Sequence, residues 1–288
     1  MEYVLHILVL IAIYVILGLT LNLLAGYTGL VSLAHAAFFG TGAYVTAILS
    51  TRFDLNVLLT MPIGVVVAAA LALGVGVLLQ RLRDEYYALA TFGINTIIFS
   101  IFLGGGQLTK GPLGIAGIAA PHFGGQNLDS PLAFAGLAIV LAALVYAITW
   151  WVGGSAFGRT LQAIRDDEVA AQVLGYKTRA SKLIVFTISA GLASVAGGLY
   201  ASYVSYIEPA SFDIIESIYI LTIVILGGLA RLPGTLVGAV ILVVLPELLR
   251  FVGLPSEIAG HARILIFGIL LVALMLYRPQ GLLGRYRL

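Results

Sequence analysis

Long apolar runs separated by short polar connectors dominate the chain, and a helix needs about twenty apolar residues to cross roughly 30 Å of hydrocarbon. On that scale the pattern predicts spans at residues 3–25, 30–50, 57–80, 86–103, 131–152, 183–206, 214–229, 235–251 and 262–277. The expectation is an all-α, polytopic integral membrane bundle of about nine transmembrane helices, within eight to ten, forming one domain over residues 1–288. The second stretch is interrupted by Ser32, His35, Gly40, Thr41 and Gly42, and the seventh is short. Residues 104–130 are rich in Gly and Pro and read as a connector or as a short re-entrant or surface segment.

One sizeable stretch breaks the apolar pattern. Residues 155–182 gather Arg159, Arg165, Asp166, Asp167, Glu168, Lys177, Arg179 and Lys182. Leu161, Ile164, Val169, Val173 and Leu174 recur there at near-helical spacing, and Asp166 or Asp167 suits the N-cap of a second short helix through Ala170 and Ala171. Gly175 then ends it, with Lys177 and Arg179 beyond, where a helix dipole favours cations. Two short amphipathic helices on the membrane surface are expected. The plain reading is a solvated loop; the interaction reading notes that Ala170, Ala171 and Gly175 would let a foreign surface approach the backbone.

Composition agrees with the pattern. Charged residues make up 10% of 288 and mean hydropathy is +1.09, against roughly a quarter charged in soluble domains. A net charge of +2 implies no nucleic-acid partner, and the absence of cysteine removes disulfides, thiolate metal sites and thiol nucleophiles. Glu2, with no early basic region or Ala-x-Ala site, predicts that the first run is a retained span rather than a signal peptide. With the N-terminus outside, eleven of the 15 Lys and Arg fall on the inner side and four, Arg52, Lys110, Arg250 and Arg263, on the outer. The orientation expected is therefore N-out and C-in, with 155–182 facing the cytoplasm.

Within the spans, helices associate by close backbone approach at small residues. Ala190, Ser194 and Gly198 recur every fourth residue, as do Ala193, Gly197 and Ala201, so one side of the sixth span should pack tightly. Asn22, Ser32, His35, Thr91, Asn95 and Thr96 are candidates for lining a translocation path, with local hydrogen bonding the ordinary alternative for His35 and Asn22. Glu208, Asp213 and Glu216 read as solvated rim charges or as a docking surface. No carboxylate relay for proton coupling falls mid-span, no GxxxxGK[ST] phosphate loop is present, and no nucleophile, base and orienting group assemble into a catalytic or metal site. The chain is not expected to be an enzyme, and uphill transport would draw its energy from another subunit.

Several motifs carry a resemblance that runs nearly end to end. Gly26 through Gly40, reading GYTGLVSLAHAAFFG, then Gly42-Ala43-Tyr44, Tyr86 through Thr91 (YYALAT), Leu108 through Ile115 (LTKGPLGI), Gly227-Gly228 with Gly234 and Gly238-Ala239, and Arg278 through Leu282 (RPQGL) together are highly specific. The chain resembles the permease subunits of ATP-binding cassette importers for branched-chain amino acids, in particular the LivM-like half of the LivH/LivM family. Val169, between Glu168 and the alanine pair, departs from the pattern, as do Ala230, Arg231 and Thr235, which stand where Gly, a small polar residue and Pro are expected.

The resemblance implies that Arg159, Arg165, Asp166, Asp167, Glu168, Ala170, Ala171 and Gly175 belong to a coupling segment similar to the loop that enters a groove of the ATP-hydrolysing subunit. It further implies a bacterial cytoplasmic membrane protein with four kinds of neighbour: a second, LivH-like permease, two cytoplasmic ATPases, an external solute-binding protein, and lipid. This chain would bind no cofactor, ATP and Mg residing on the ATPases. The cargo stays open between branched-chain amino acids and amides or urea, and an ion-coupled secondary carrier or an unenergised channel subunit are the rival classes.

Overall fold

A computed structural model describes residues 2–82, 84–123, 126–128, 130–250, 265, 268, 269, 272, 276 and 280–284. The first apolar run forms α1 (Glu2–Leu21), which continues as a π-helical turn over Asn22–Gly26. The next helix, α2 (His35–Phe53), begins later than the apolar pattern predicts for residues 30–50. Gly29 takes φ of 73° and the Ser32 hydroxyl accepts the Ala34 N–H at 3.3 Å, so local turns displace the first helical turn. As a result α2 starts inside the bundle, with His35 beside Thr20 of α1.

Asn56 caps α3 (Val57–Leu79) by accepting the Leu58 N–H, and α4 (Asp84–Gly104) follows. Residues 104–130 are more ordered than a plain connector. They hold α5 (Gly106–Thr109), a 3-10 turn over Gly111–Leu113, β1 (Ile115–Ala116) and a hairpin of β2 (His122–Phe123) with β3 (Gln126–Asn127). Ser130 and Pro131 then open α6 (Pro131–Gly154), the proline where its missing N–H costs nothing. The polar stretch forms α7 (Ala156–Asp166) and α8 (Glu168–Val173), and α9 (Thr178–Val204) returns through the bundle. After β4 (Tyr206–Ile207), antiparallel to β1, and a 3-10 turn over Pro209–Phe212, the described helices close with α10 (Ile214–Gly227) and α11 (Leu232–Arg250).

Among the described residues six helices are long and apolar enough to cross a membrane, and Leu232–Glu247 is a shorter apolar helix, which makes this a polytopic helical membrane protein. The short seventh stretch gains its length from the 3-10 turn before α10, giving an apolar segment over Pro209–Gly227. Helix α2 falls outside the six because its polar and small residues lower its hydropathy; it is buried around most of its circumference and so need not face lipid. The ninth stretch, 262–277, lies largely outside the described residues, as do Arg83, Arg263, Arg278, Arg285 and Arg287.

Helices α2, α3 and α9 form the centre. A Cβ on Gly42 would overlap the Ser194 backbone, and one on Gly197 would overlap the Phe39 carbonyl, so α2 and α9 touch backbone to backbone. Ala190, Ala193, Ser194, Gly197, Gly198 and Ala201 are all buried, Gly198 against Met61 of α3 and Thr46 of α2. At one end of the bundle Phe39, Tyr44, Phe102, Tyr200 and Phe212 form an aromatic cluster, Tyr44 and Phe102 stacking at 4.4 Å between centroids. Tyr3 with Glu247, His6 with Tyr203, and Arg52 with the Gln107 carbonyl meet at that same end. The opposite end carries the α7–α8 hairpin with Arg159, Arg165 and Lys182, and Trp150 and Trp151 lie exposed beside it, as aromatic residues do at a membrane interface.

Candidate functional site

The α7–α8 hairpin is built by local capping. Ser155 accepts the Gly158 N–H and starts α7, whose Leu161 and Ile164 are buried against the bundle. Asp167, in extended conformation at φ −159°, breaks the helix and caps α8 by accepting the Val169 and Ala170 N–H groups at 2.8 and 2.9 Å. Of the two aspartates, the cap is thus Asp167. Gly175, at φ 87°, ends α8 in a Schellman motif: Tyr176 N–H donates to the Ala171 carbonyl and Gly175 N–H to the Gln172 carbonyl, both at 3.0 Å.

The two helices direct their apolar residues oppositely. Val169, Val173 and Leu174 of the second helix are 55%, 84% and 75% exposed, and Ala170 and Gly175 are exposed with them. Ala171 instead faces the bundle. Arg159 is exposed and, among the described residues, reaches the Gly154 carbonyl at 3.4 Å. Glu168 turns inward to Lys182 of α9, 2.9 Å away, and Arg165 bridges Asp166 and the Gly26 carbonyl at the end of α1. The hairpin, the Thr28–Leu30 turn and Lys182 enclose a cavity of about 340 Å³. Burial and the neighbouring Tyr146 raise the phenol pKa of the adjacent Tyr27, against a smaller pull down from Arg165 and Arg231, so it stays neutral at physiological pH.

Four of the six path candidates gather at the start of α2. Leu33 N–H donates to Thr91 Oγ1 at 3.0 Å, Ala36 N–H to Ser217 Oγ at 2.9 Å, and Ser217 Oγ to Asn95 Oδ1 at 3.4 Å. Ser32 turns the chain into the helix, and the His35 ring places Nε2 3.1 Å from Thr20 Oγ1 and 3.5 Å from Ser189 Oγ, with Nδ1 buried and unpartnered. Thr20, Ser189 and Ser217 are not legible as members of this group in the sequence, because a lone hydroxyl in an apolar run commonly bonds its own helix.

The other two candidates lie elsewhere. Asn22 is fully buried at the α10–α11 turn, where Oδ1 accepts Ala230 N–H at 2.8 Å and Nδ2 donates to Thr235 Oγ1 at 2.6 Å. Thr96 points out of the bundle and lines a hollow of about 470 Å³ with Ser100, Gly104 and Gly105. The acidic rim residues have local partners: Asp213 caps α10 through Glu216 N–H, and Glu208 meets the Tyr206 hydroxyl.

Comparison with known proteins matches residues 3–275 to a family described as the permease component of branched-chain amino acid transport systems. The high-affinity branched-chain amino acid transport permease LivM of Escherichia coli K12 is 34% identical over 96% of this chain and 68% of its own length. LivH of the same organism is 27% identical over 94% and 91%, and the ribose import permease RbsC of Haemophilus influenzae 24% over 81% and 72%. No solved structure gives a significant match.

Proposed function

Because the chain belongs to the family of permease components of branched-chain amino acid transport systems, we propose that it forms one wall of an importer whose stroke is delivered at the α7–α8 hairpin. It is a permease component of an ATP-binding cassette system, a family without a nucleotide-binding domain of its own. Leucine, isoleucine or valine is the cargo that the relatives' names favour. In this reading the chain sits in a bacterial inner membrane as about nine spans, N-out and C-in, paired with a LivH-like permease. Two cytoplasmic ATPases hold ATP and Mg, and an external binding protein delivers the solute. Closure of the ATPase pair would press on α8 and rock the bundle between outward- and inward-open states.

The observation that carries the reading is the outward apolar face of α8. Val169, Val173 and Leu174 stand exposed on a hairpin whose capping and inward ion pair hold it rigid, an arrangement suited to a protein groove rather than to water. Its test is Gly175→Trp. Among the described residues no atom lies within 4 Å of a Cβ at that position, so the side chain leaves into open space, and Gly175→Ala controls for the strain of positive φ. Reconstituted with its partners, the tryptophan variant should hydrolyse ATP without moving solute, as should a variant with Asp166 and Asp167 both changed to Lys. Coupled uptake equal to wild type in both would overturn the proposal, and uptake that survives ATP depletion but collapses with an ionophore would favour an ion-coupled carrier.

A further inference from the structure

We propose that Asn22 and Arg165 are positioning residues for energy coupling, joined through Gly26 into a linkage that carries motion of the α7–α8 hairpin to the α10–α11 turn. The inference rests on the reading of that hairpin as the ATPase contact. It takes Asn22, which the sequence offers as a path candidate with hydrogen bonding as the ordinary alternative, into the transmission.

The linkage starts at the last turn of α7. Arg165, its side chain 12% exposed, places Nε and Nη2 on Asp166 Oδ1 at 3.1 and 3.0 Å and Nη1 on the Gly26 carbonyl at 2.8 Å. A guanidinium holds these donors in one rigid plane, so the hairpin and the end of α1 are fixed to the same group. Its aliphatic stem lies on Gly29, where a Cβ would come within 3.0 Å of Arg165 Cγ. The Gly26 carbonyl is free to accept because it ends a helical segment.

Gly26 is also where the second half of the linkage attaches. It closes the π-turn that Asn22 opens, and a Cβ there would overlap both Asn22 Oδ1 and the Ala230 backbone nitrogen. Three segments therefore meet at one glycine: the end of α1, the Ala230 backbone packed against it, and the hairpin through the Arg165 side chain on its carbonyl. Asn22 spends both ends of its amide on the α10–α11 turn, accepting from Ala230 N–H and donating to Thr235 Oγ1 and, at 3.3 Å, to the Arg231 carbonyl. An amide so engaged is held in one orientation and leaves little for a passing solute. Since π-turns are a less stable winding than the α-helix, these bonds also fix the shape of the junction.

The test compares Arg165→Lys, which keeps the charge and loses the fork, Thr235→Val, which removes the shortest of the Asn22 Nδ2 contacts at nearly constant volume, and the double variant. Each is assembled with its ATPases, second permease and binding protein, and solute moved per ATP hydrolysed is measured. Each single change should lower that ratio at least about fivefold without lowering ATP hydrolysis, and the double should fall no further than the worse single. Loss of assembled complex with an unchanged ratio would show a merely structural role and overturn the proposal, as would effects that multiply. Gly175→Trp is run alongside: if it uncouples and Thr235→Val does not, the linkage fails while the hairpin reading stands; if neither uncouples, the hairpin reading itself falls.

Discussion

Lys182 Nζ lies 2.9 Å from the Glu168 carboxylate, and with side chains 3% and 15% exposed the two form an ion pair sealed between α8 and α9. The lysine has one further acceptor, the Leu82 carbonyl at 3.5 Å. Glu168→Gln would leave a buried ammonium largely uncompensated, and breaking one partner of such a pair costs about 3 kcal/mol. The variant should melt several degrees lower in detergent, whereas Lys182→Met combined with Glu168→Leu should recover much of the loss. A double variant no more stable than the single would show that the pair is not coupled.

Close approach of α2 and α9 sets a sharp difference between two glycines. A Cβ on Gly197 would sit on the Phe39 carbonyl and 2.6 Å from Ala43 N, whereas one on Gly64 would find nothing nearer than 3.6 Å. Gly197→Ala must separate the backbones of the two helices, at a cost of about 2 kcal/mol or more. Gly64→Ala should be neutral or stabilising by up to about 1 kcal/mol, since alanine is the better helix former. Membrane yield and melting temperature of the two variants read this directly.

Ala230 takes φ of 56°, a conformation in which a Cβ costs about 1 kcal/mol or more. Its N–H still donates to Asn22, so Ala230→Gly should relieve strain without breaking the junction. The variant should melt higher and transport as well as wild type. A lower melting temperature would mean that the added freedom of the unfolded chain outweighs the relief.

That strained alanine also shows what was legible in the sequence. The resemblance expects glycine at 230, and the positive φ is the physical reason for the expectation. The positions of the six long apolar helices among the described residues, the two short helices at 156–173 and the helix-ending turn at Gly175 follow from periodicity and capping alone. The late start of α2 does not, because Ser32 and Gly29 divert the backbone through local turns that an apolar count does not register. Nor do the partners of Asn22, Arg165 and Glu168, which come from segments far apart in the chain. Side-chain type marks these residues as costly to bury; only the fold says what each one holds.

Thr96 offers the most direct probe of the solute path. The exposed span residues of α3 and α6 are apolar, including Val66 and Val140, whereas the outward face of α4 sets the hydroxyls of Thr96 and Ser100 among Ile97, Ile101 and Gly104. Both hydroxyls bond carbonyls of their own helix, Thr96 to Phe92 and Ser100 to Thr96, so what marks this face as a candidate path is the polarity that α3 and α6 lack. The chain has no cysteine, so single thiols can be introduced without background. Thiols react as thiolates, which form in water and not in hydrocarbon. In the assembled transporter Thr96→Cys and Ser100→Cys should react with a membrane-impermeant maleimide and be protected by transported solute. Val66→Cys and Val140→Cys should stay unlabelled. Equal silence at all four positions would place the outward face of α4 in lipid and remove Thr96 from the path.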